Sequence, residues 1–199
     1  MDQTSALRDC LLGLDARLAR RQLRHQGSQR LWWIVPDPNG GLRLRQPSDG
    51  PDGLRPHWWD HRPVRDLWRW ATATQRVLRL GDIPTRWGAD VVGLAWSAET
   101  LTAGPDGMPT GVERRTVTGA LGGDHVCLIE HVHGGAPRVL LEGHLPLDTE
   151  AETARSKQTI RDTVTADDDL AAVVSLLLLA EFLPQPASGK VHTAPAGGA

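Results

Sequence analysis

The chain has 199 residues, of which 40% are hydrophobic and 23% are charged, and its formal net charge is −2. This composition excludes an intrinsically disordered chain, and a chain of this length can bury enough apolar surface to fold without a metal or a disulfide. The two cysteines, Cys10 and Cys127, are therefore expected to be reduced thiols of a cytoplasmic protein. We expect no membrane segment, because the longest apolar run, Leu170 to Ala180, is well short of the roughly 20 residues that span a bilayer.

The charges and the tryptophans are distributed unevenly along the chain. Residues 1–87 contain 15 arginines and 9 aspartates, for a charge of +6, whereas residues 88–199 carry a charge of −8. Seven of the eight tryptophans also precede residue 88. Either the two halves present differently charged solvated surfaces, or the first half contains a basic, aromatic binding face.

The first half of the sequence predicts two helices separated by a hairpin. Leucines recur every three or four residues over 5–25, which predicts an amphipathic helix. The runs 31–35 and 42–45 flank a turn rich in proline and glycine, which predicts a hairpin, and 46–57 is expected to be a loop. A second helix is predicted over 63–80 from one apolar stripe: Val64, Leu67, Trp68, Ala71 and Leu78.

From Asp90 onward the apolar residues alternate with period two, which is typical of strands. A first strand is predicted to run to Thr100, followed by a loop over 103–111. Three more strands are expected over about 112–120, 125–133 and 138–145, and the short loops between them make neighbouring strands antiparallel.

The C-terminal part of the sequence predicts helices. Thr149 with Glu152 forms a capping-box pattern, and Thr165 with Asp168 forms a weaker one that leads into the apolar run 170–183. Residues 184–199 are mostly proline, alanine, glycine and serine, which predicts a disordered tail.

These elements predict an α+β fold in which an antiparallel β-meander of four or more strands packs with an N-terminal, a central and a C-terminal helix. The N-terminal hairpin is expected to be able to extend the meander. We predict a single domain over residues 1–183.

One strand carries a candidate metal site. If His133 faces Arg138, then Cys127 lies opposite His144, and His125 shares the same face, which we predict to be solvated. A cysteine and two histidines form a ligand set that zinc accepts, and an open fourth position would permit hydrolysis. The alternative is an ordinary polar face of a sheet, since a one-residue slip in register separates the ligands.

Glu130 is the one carboxylate on the otherwise apolar side of the same strand. A buried carboxylate needs a partner, so we expect an ion pair with Arg114 or Arg115 rather than a catalytic acid.

A proline-flanked run of aromatic and charged residues forms the second candidate site. Tryptophan and arginine are the residues that most often anchor interfaces, although the two tryptophans could equally cover one edge of the core. Stacking of single-stranded nucleic acid on the tryptophans is a further alternative, but aspartates interrupt the patch and the sequence pI is near 6.4. The candidate binding residues are His57, Trp58, Trp59, His61, Arg62 and Arg65.

No phosphate-binding loop, dinucleotide fingerprint, nucleophile elbow or metalloprotease motif occurs in the sequence. We therefore predict a non-enzymatic protein-interaction or accessory domain that contacts a protein partner, or a second copy of itself, through the Trp58–Trp59 loop. No cofactor is expected under this prediction. The alternatives are a zinc-dependent, hydrolase-like protein that uses His125, Cys127 and His144, and a single-stranded nucleic-acid binder.

Overall fold

The computed structural model describes residues 2–20, 29–45, 67–69, 71–73, 90–147, 149–164 and 166–186. These residues form an α+β structure built on one six-stranded sheet, in which every neighbouring pair of strands is antiparallel and the order is β2-β1-β3-β4-β5-β6. The strands are β1 (Arg30–Pro36), β2 (Leu42–Arg45), β3 (Gly93–Ala103), β4 (Pro109–Leu121), β5 (His125–Val132) and β6 (Arg138–His144). The predicted meander and its extension by the N-terminal hairpin are therefore confirmed.

Helix α1 (Gln3–Arg20) covers one face of the sheet. Its leucine stripe, Leu7, Leu11, Leu14 and Leu18, is buried in one cluster with side chains from four strands, and partly buried leucines of β2 pack against that cluster. Gly119 of β4 lets the helix approach closely, because a Cβ there would lie 3.0 Å from the side-chain methyls of Leu7 and Leu11. The described part of this helix ends at Arg20, and residues 21–25 of the predicted helix lie outside the described residues.

The opposite face carries a second buried cluster and two C-terminal helices, α2 (Glu150–Thr163) and α3 (Asp167–Ala180). Helix α3 is apolar on most of its surface because it packs against the sheet and also contacts α2. Residues 67–69 and 71–73 are helical and belong to a short central helix, through which Leu67 and Ala71 enter the same cluster. The sheet is thus the middle of three layers, and both of its faces are covered.

This layering corrects one prediction. The face of β5 that carries Cys127 and Ile129 was expected to be solvated, but both side chains are fully buried beneath α1. The alternation of side chains between the two faces of the strand was predicted correctly. The prediction that one of these faces is open to solvent was wrong, because His125 and His131 at the two ends of the strand made the whole face look polar.

Capping residues were predicted from the sequence for two helices, and one of the two caps is confirmed. Thr149 caps α2 as expected: its Oγ1 accepts a hydrogen bond from the Glu152 amide at 3.2 Å, and its hydroxyl donates to the Glu152 carboxylate at 2.7 Å. Helix α3 instead has Ala166 as its N-cap, without a side-chain hydrogen bond. The prediction for Thr165 falls on a residue outside the described ranges, and the acidic first turn of α3 takes the place of a cap.

The beginning of the predicted tail is packed against the domain. The carbonyl oxygen of Pro186 accepts a hydrogen bond of 3.0 Å from the Gln3 side chain, and Leu183 and Pro184 lie against Gly122. The rest of the predicted tail, 187–199, lies outside the described residues, as do the predicted loop 46–57 and most of the predicted helix over 63–80.

Candidate functional site

The predicted aromatic contact surface falls outside the described residues. This applies to all six of its members, His57, Trp58, Trp59, His61, Arg62 and Arg65. Their assignment to an interface remains a prediction, and the nearest described residues are those of the central helix.

Trp68 of the central helix is exposed, in contrast to its predicted place in the apolar stripe. Its neighbours Leu67 and Ala71 are completely buried, whereas 41% of Trp68 is accessible to solvent. Residues 67 and 71 are four positions apart and share a face, and position 68 is turned by about 100° from position 67, which moves it to the edge of that face. Arg69, the next residue, is also exposed. An exposed tryptophan beside an arginine is the pair of residue types most often found at interface hot spots.

The register of β5 and β6 differs from the predicted one. His133 was expected to face Arg138 and Cys127 to face His144, but Glu130 faces Arg138 and Cys127 faces Glu142. A register shift between Leu128 and Ile129 inserts one extra residue of β6, which the sequence pattern did not reveal. The wider hairpin closure and this shift together place His125, rather than Cys127, directly opposite His144.

Cys127 is unsuited to the chemistry considered for it. The side chain is completely buried in the cluster beneath α1. Burial, with a smaller contribution from the charge of Glu142, raises the pKa of this thiol to about 12. The thiolate is the form that attacks substrates, so the buried Cys127 is a core residue rather than a nucleophile. Cys10 behaves similarly, because burial raises its pKa to about 11.

His125 and His144 form a close pair at the end of the β5–β6 ladder. Their ring centroids are 5.3 Å apart and their planes are inclined by 65°. The Nδ1 atom of His125 lies 2.9 Å from the Gly123 carbonyl oxygen. Within the described part of the chain, no group of three or more histidine, cysteine, aspartate or glutamate side chains is arranged to hold a metal ion. The predicted three-ligand zinc site is therefore reduced, among these residues, to a pair of imidazoles.

A chain of charged groups ties α1 to the sheet at the other end of the same face. The guanidinium of Arg115 donates to Glu99 at 2.8 Å and to Asp15 of α1 at 3.1 Å. The second oxygen of Asp15 lies 2.7 Å from Nδ1 of His131. The side chains of Glu99, Arg115 and Asp15 are at least nine-tenths buried, so each charge depends on its partners.

A second charged group ties α3 to the opposite face. Arg114 donates to Glu130 at 2.7 Å and to Asp169 at 2.6 Å, and Asp169 also accepts a hydrogen bond of 2.9 Å from Thr116. The predicted ion pair of Glu130 is thereby confirmed with Arg114. Burial alone would lower the pKa of Arg114, but the hydrogen bonds and charges of Glu130 and Asp169 outweigh it and raise that pKa.

A cleft of about 390 Å³ opens beside this second group, between β3, β4 and the first turn of α3. Its acidic wall includes Asp167, Asp168 and Asp169, which stand where the helix dipole stabilises negative charge. Asp169 is already bound to Arg114 and Thr116. Stabilisation of α3 therefore accounts for these residues without a ligand.

Comparisons with models of protein families, with curated proteins and with solved structures found no significant match. None of the helices in the described ranges combines the length and the apolarity that a membrane-spanning segment needs. The functional argument below therefore depends on the residues of this chain alone.

The sequence pattern did not single out Asp15, Glu99 or His131. Asp15 carried a detectable signal, because it follows Leu14 and lies four residues after Leu11, on the buried side of α1. A carboxylate in that position predicts a buried partner, in the way that Glu130 did. The identity of that partner depends on how α1 is placed over the sheet.

Proposed function

We propose that this chain is a non-enzymatic protein-interaction domain whose tryptophan-rich, basic face binds an acidic and partly apolar surface of a protein partner. The observation that carries the proposal is the exposure of Trp68 on a helix whose other side, Leu67 and Ala71, is fixed in the core. Leaving a large aromatic side chain in water forgoes the free energy of burying it, and such residues are typical of binding surfaces.

The charge of the surrounding sequence determines the kind of partner. Trp68 lies in the half of the chain that carries +6, and Arg62, Arg65, Arg69, Arg76 and Arg79 surround it in sequence. A partner with acidic groups around an apolar centre would complement such a face and would be attracted to it at long range. The predicted Trp58–Trp59 loop would belong to the same contact surface.

Site-specific photocrosslinking tests the proposal. A photoreactive phenylalanine derivative is placed at position 68. As a matched control, it is placed at the exposed Lys157 of α2, which is a different helix on the same face of the sheet. We expect position 68 to give a discrete adduct in the organism of origin, identified by mass spectrometry as another protein with an acidic surface. The control position should not give this adduct.

Three outcomes would overturn the proposal. They are equal adducts at both positions, an adduct that is removed by nuclease, and an adduct made only with a second copy of the chain.

Combined Trp58→Ala and Trp59→Ala substitution should reduce the adduct at position 68 and leave the melting temperature nearly unchanged. A large fall in melting temperature would instead place those two side chains in the core.

A further inference from the structure

We infer that His125 and His144 form a two-histidine site for a divalent late transition-metal ion, with Cu²⁺ bound most tightly. The two residues face each other directly across the antiparallel β5–β6 ladder. This site is independent of the proposed protein interaction, since it lies on β5 and β6 and the interaction was argued from the central helix. It also differs from the ligand set expected from the sequence, because Cys127 is excluded by burial.

The separation of the two rings suits a shared ion. Two imidazoles that bind one zinc at about 2.0–2.1 Å in tetrahedral geometry have ring centroids about 5 Å apart. The centroids of His125 and His144 are 5.3 Å apart. An inclination of 65° is compatible with a shared ion, because each ring can rotate about its own metal–nitrogen bond, and the exposed His144 ring has room to adjust.

A hydrogen bond of His125 selects the tautomer that metal binding needs. The carbonyl oxygen of Gly123 can only accept a hydrogen bond, so Nδ1 of His125 must be the donor over their 2.9 Å separation. The lone pair of the neutral ring is then on Nε2. A backbone carbonyl that receives the other ring N–H is the usual support of a metal-binding histidine, because it orients the ring and selects the tautomer.

The turn that holds His125 is itself held in place. The amide of Leu145 donates to the carbonyl of Asp124 at 2.9 Å, which joins the turn to the end of β6. On its other side, Gly123 packs against the Gln185 side chain so closely that a Cβ at position 123 would lie 2.7 Å from Nε2 of Gln185. The turn that carries the Gly123 carbonyl is therefore held on both sides, and less entropy is lost when the ligand ring is ordered.

A pair of imidazoles selects a metal ion by the affinity of that metal for nitrogen ligands rather than by its charge. Imidazole nitrogen suits Cu²⁺, Ni²⁺ and Zn²⁺, and the affinity of such sites generally rises toward Cu²⁺. Glu142 lies on the same face, but Arg8 binds it at 3.2 Å, so we do not count it as a ligand. Water would occupy the remaining coordination positions.

Titration of the tag-free, full-length protein with Cu²⁺ and with Zn²⁺ tests the site. Calorimetry should give one ion per chain, and the Cu²⁺ spectrum in electron paramagnetic resonance should show coupling to two imidazole nitrogens. We expect His125→Gln and His144→Gln each to weaken Cu²⁺ binding by at least about tenfold. His133→Gln, which changes an exposed histidine of the adjoining hairpin turn, should leave the affinity unchanged.

His144→Gln keeps the test decisive if His125→Gln unfolds the protein, because His144 is exposed. Absence of stoichiometric Cu²⁺ binding would overturn the inference. Equal affinity in the wild type and His144→Gln, with both folded by near-ultraviolet circular dichroism, would overturn it as well.

Discussion

Arg114 and Arg115 are consecutive residues of β4, and their guanidinium groups bind two carboxylates each on opposite faces of the sheet. Arg115 holds Asp15 of α1, and Arg114 holds Asp169 of α3. Because successive side chains of a strand point to opposite faces, one dipeptide fixes a helix on each side. The two outer layers of the structure are thus positioned from the same point of the central strand.

The first prediction concerns Arg115, whose loss removes the guanidinium that binds the buried carboxylates of Asp15 and Glu99. We expect Arg115→Met to lower the free energy of unfolding by about 3–5 kcal/mol, the cost of an uncompensated buried charge. Urea denaturation followed by circular dichroism measures this. Methionine keeps most of the apolar volume of the side chain, so the loss reports charge rather than a cavity.

The exposed pair of Arg45 and Asp90 provides the control for this prediction. Their closest contact is 2.7 Å, but 41% and 51% of the two side chains are exposed. Arg45→Met should therefore cost about 1 kcal/mol or less. Equal losses in the two variants would show that burial does not strengthen the Arg115 network.

The second prediction compares two glycines. A Cβ at Gly122 would overlap the carbonyl oxygen of Leu183 and lie 2.6 Å from that of Pro184, both backbone atoms that cannot turn aside. Gly122→Ala should destabilise the protein by about 1–3 kcal/mol. Gly13 lies on the exposed side of α1 with no atom within 4 Å of its Cβ position, so Gly13→Ala should stabilise it by about 0.5–1 kcal/mol.

Thermal and urea unfolding of both glycine variants check this comparison. A neutral Gly122→Ala variant would mean that the segment from Leu183 to Pro184 moves away from the turn at little cost. Loss of the hydrogen bond between Gln3 and Pro186 would be the expected sign of that movement.

The third prediction concerns Cys127 and alkaline pH. Burial raises the pKa of its thiol from 9.0 to about 12, so the folded state retains a proton that the unfolded state loses. The thiol therefore contributes stability that is fully present below pH 9 and is lost as the pH rises toward 12. The slope should be about 1.4 kcal/mol per pH unit within this window.

Unfolding free energies of the wild type and Cys127→Ala, measured from pH 8 to pH 11, test this directly. The variant should fall less steeply above pH 9, whatever its stability at pH 8. The chain contains no tyrosine, which leaves few other side chains to titrate in this range, although Cys10 also has a raised pKa. Parallel curves for the two proteins would contradict the prediction, as would rapid alkylation of Cys127 in the folded protein at pH 8.

Local patterns in the sequence predicted most of the fold. Period-two alternation located β3 to β6, and the leucine spacing located α1, because both depend only on neighbouring residues. The Glu130 ion pair was also predictable, since a single carboxylate on an apolar face needs a cation. The boundary of β4 was less accurate: the strand begins at Pro109, three residues before the predicted start.

Long-range relationships could not be predicted in the same way. The hairpin closes with Glu130 rather than His133 opposite Arg138, and the alternation does not reveal which residues face each other, so Cys127 was paired with the wrong residue of β6. The cover of α1 over Cys127 likewise depends on the placement of a helix more than a hundred residues away. Trp68 lay at the edge of its stripe, where the helical period alone does not separate buried from exposed positions.

The sheet order has a consequence for how the protein folds. Strands β3 to β6 pair with their neighbours in sequence, whereas β1 pairs with β3 across the long segment between Pro36 and Gly93. Closing that segment costs more chain entropy, so the hairpin is expected to dock after the meander has formed.

Ile129 of β5 and Ile34 of β1 are completely buried in the same cluster and make a matched pair for testing this order of folding. Ile129→Val should slow refolding, Ile34→Val should mainly accelerate unfolding, and stopped-flow kinetics that reversed this assignment would place the hairpin in the folding nucleus.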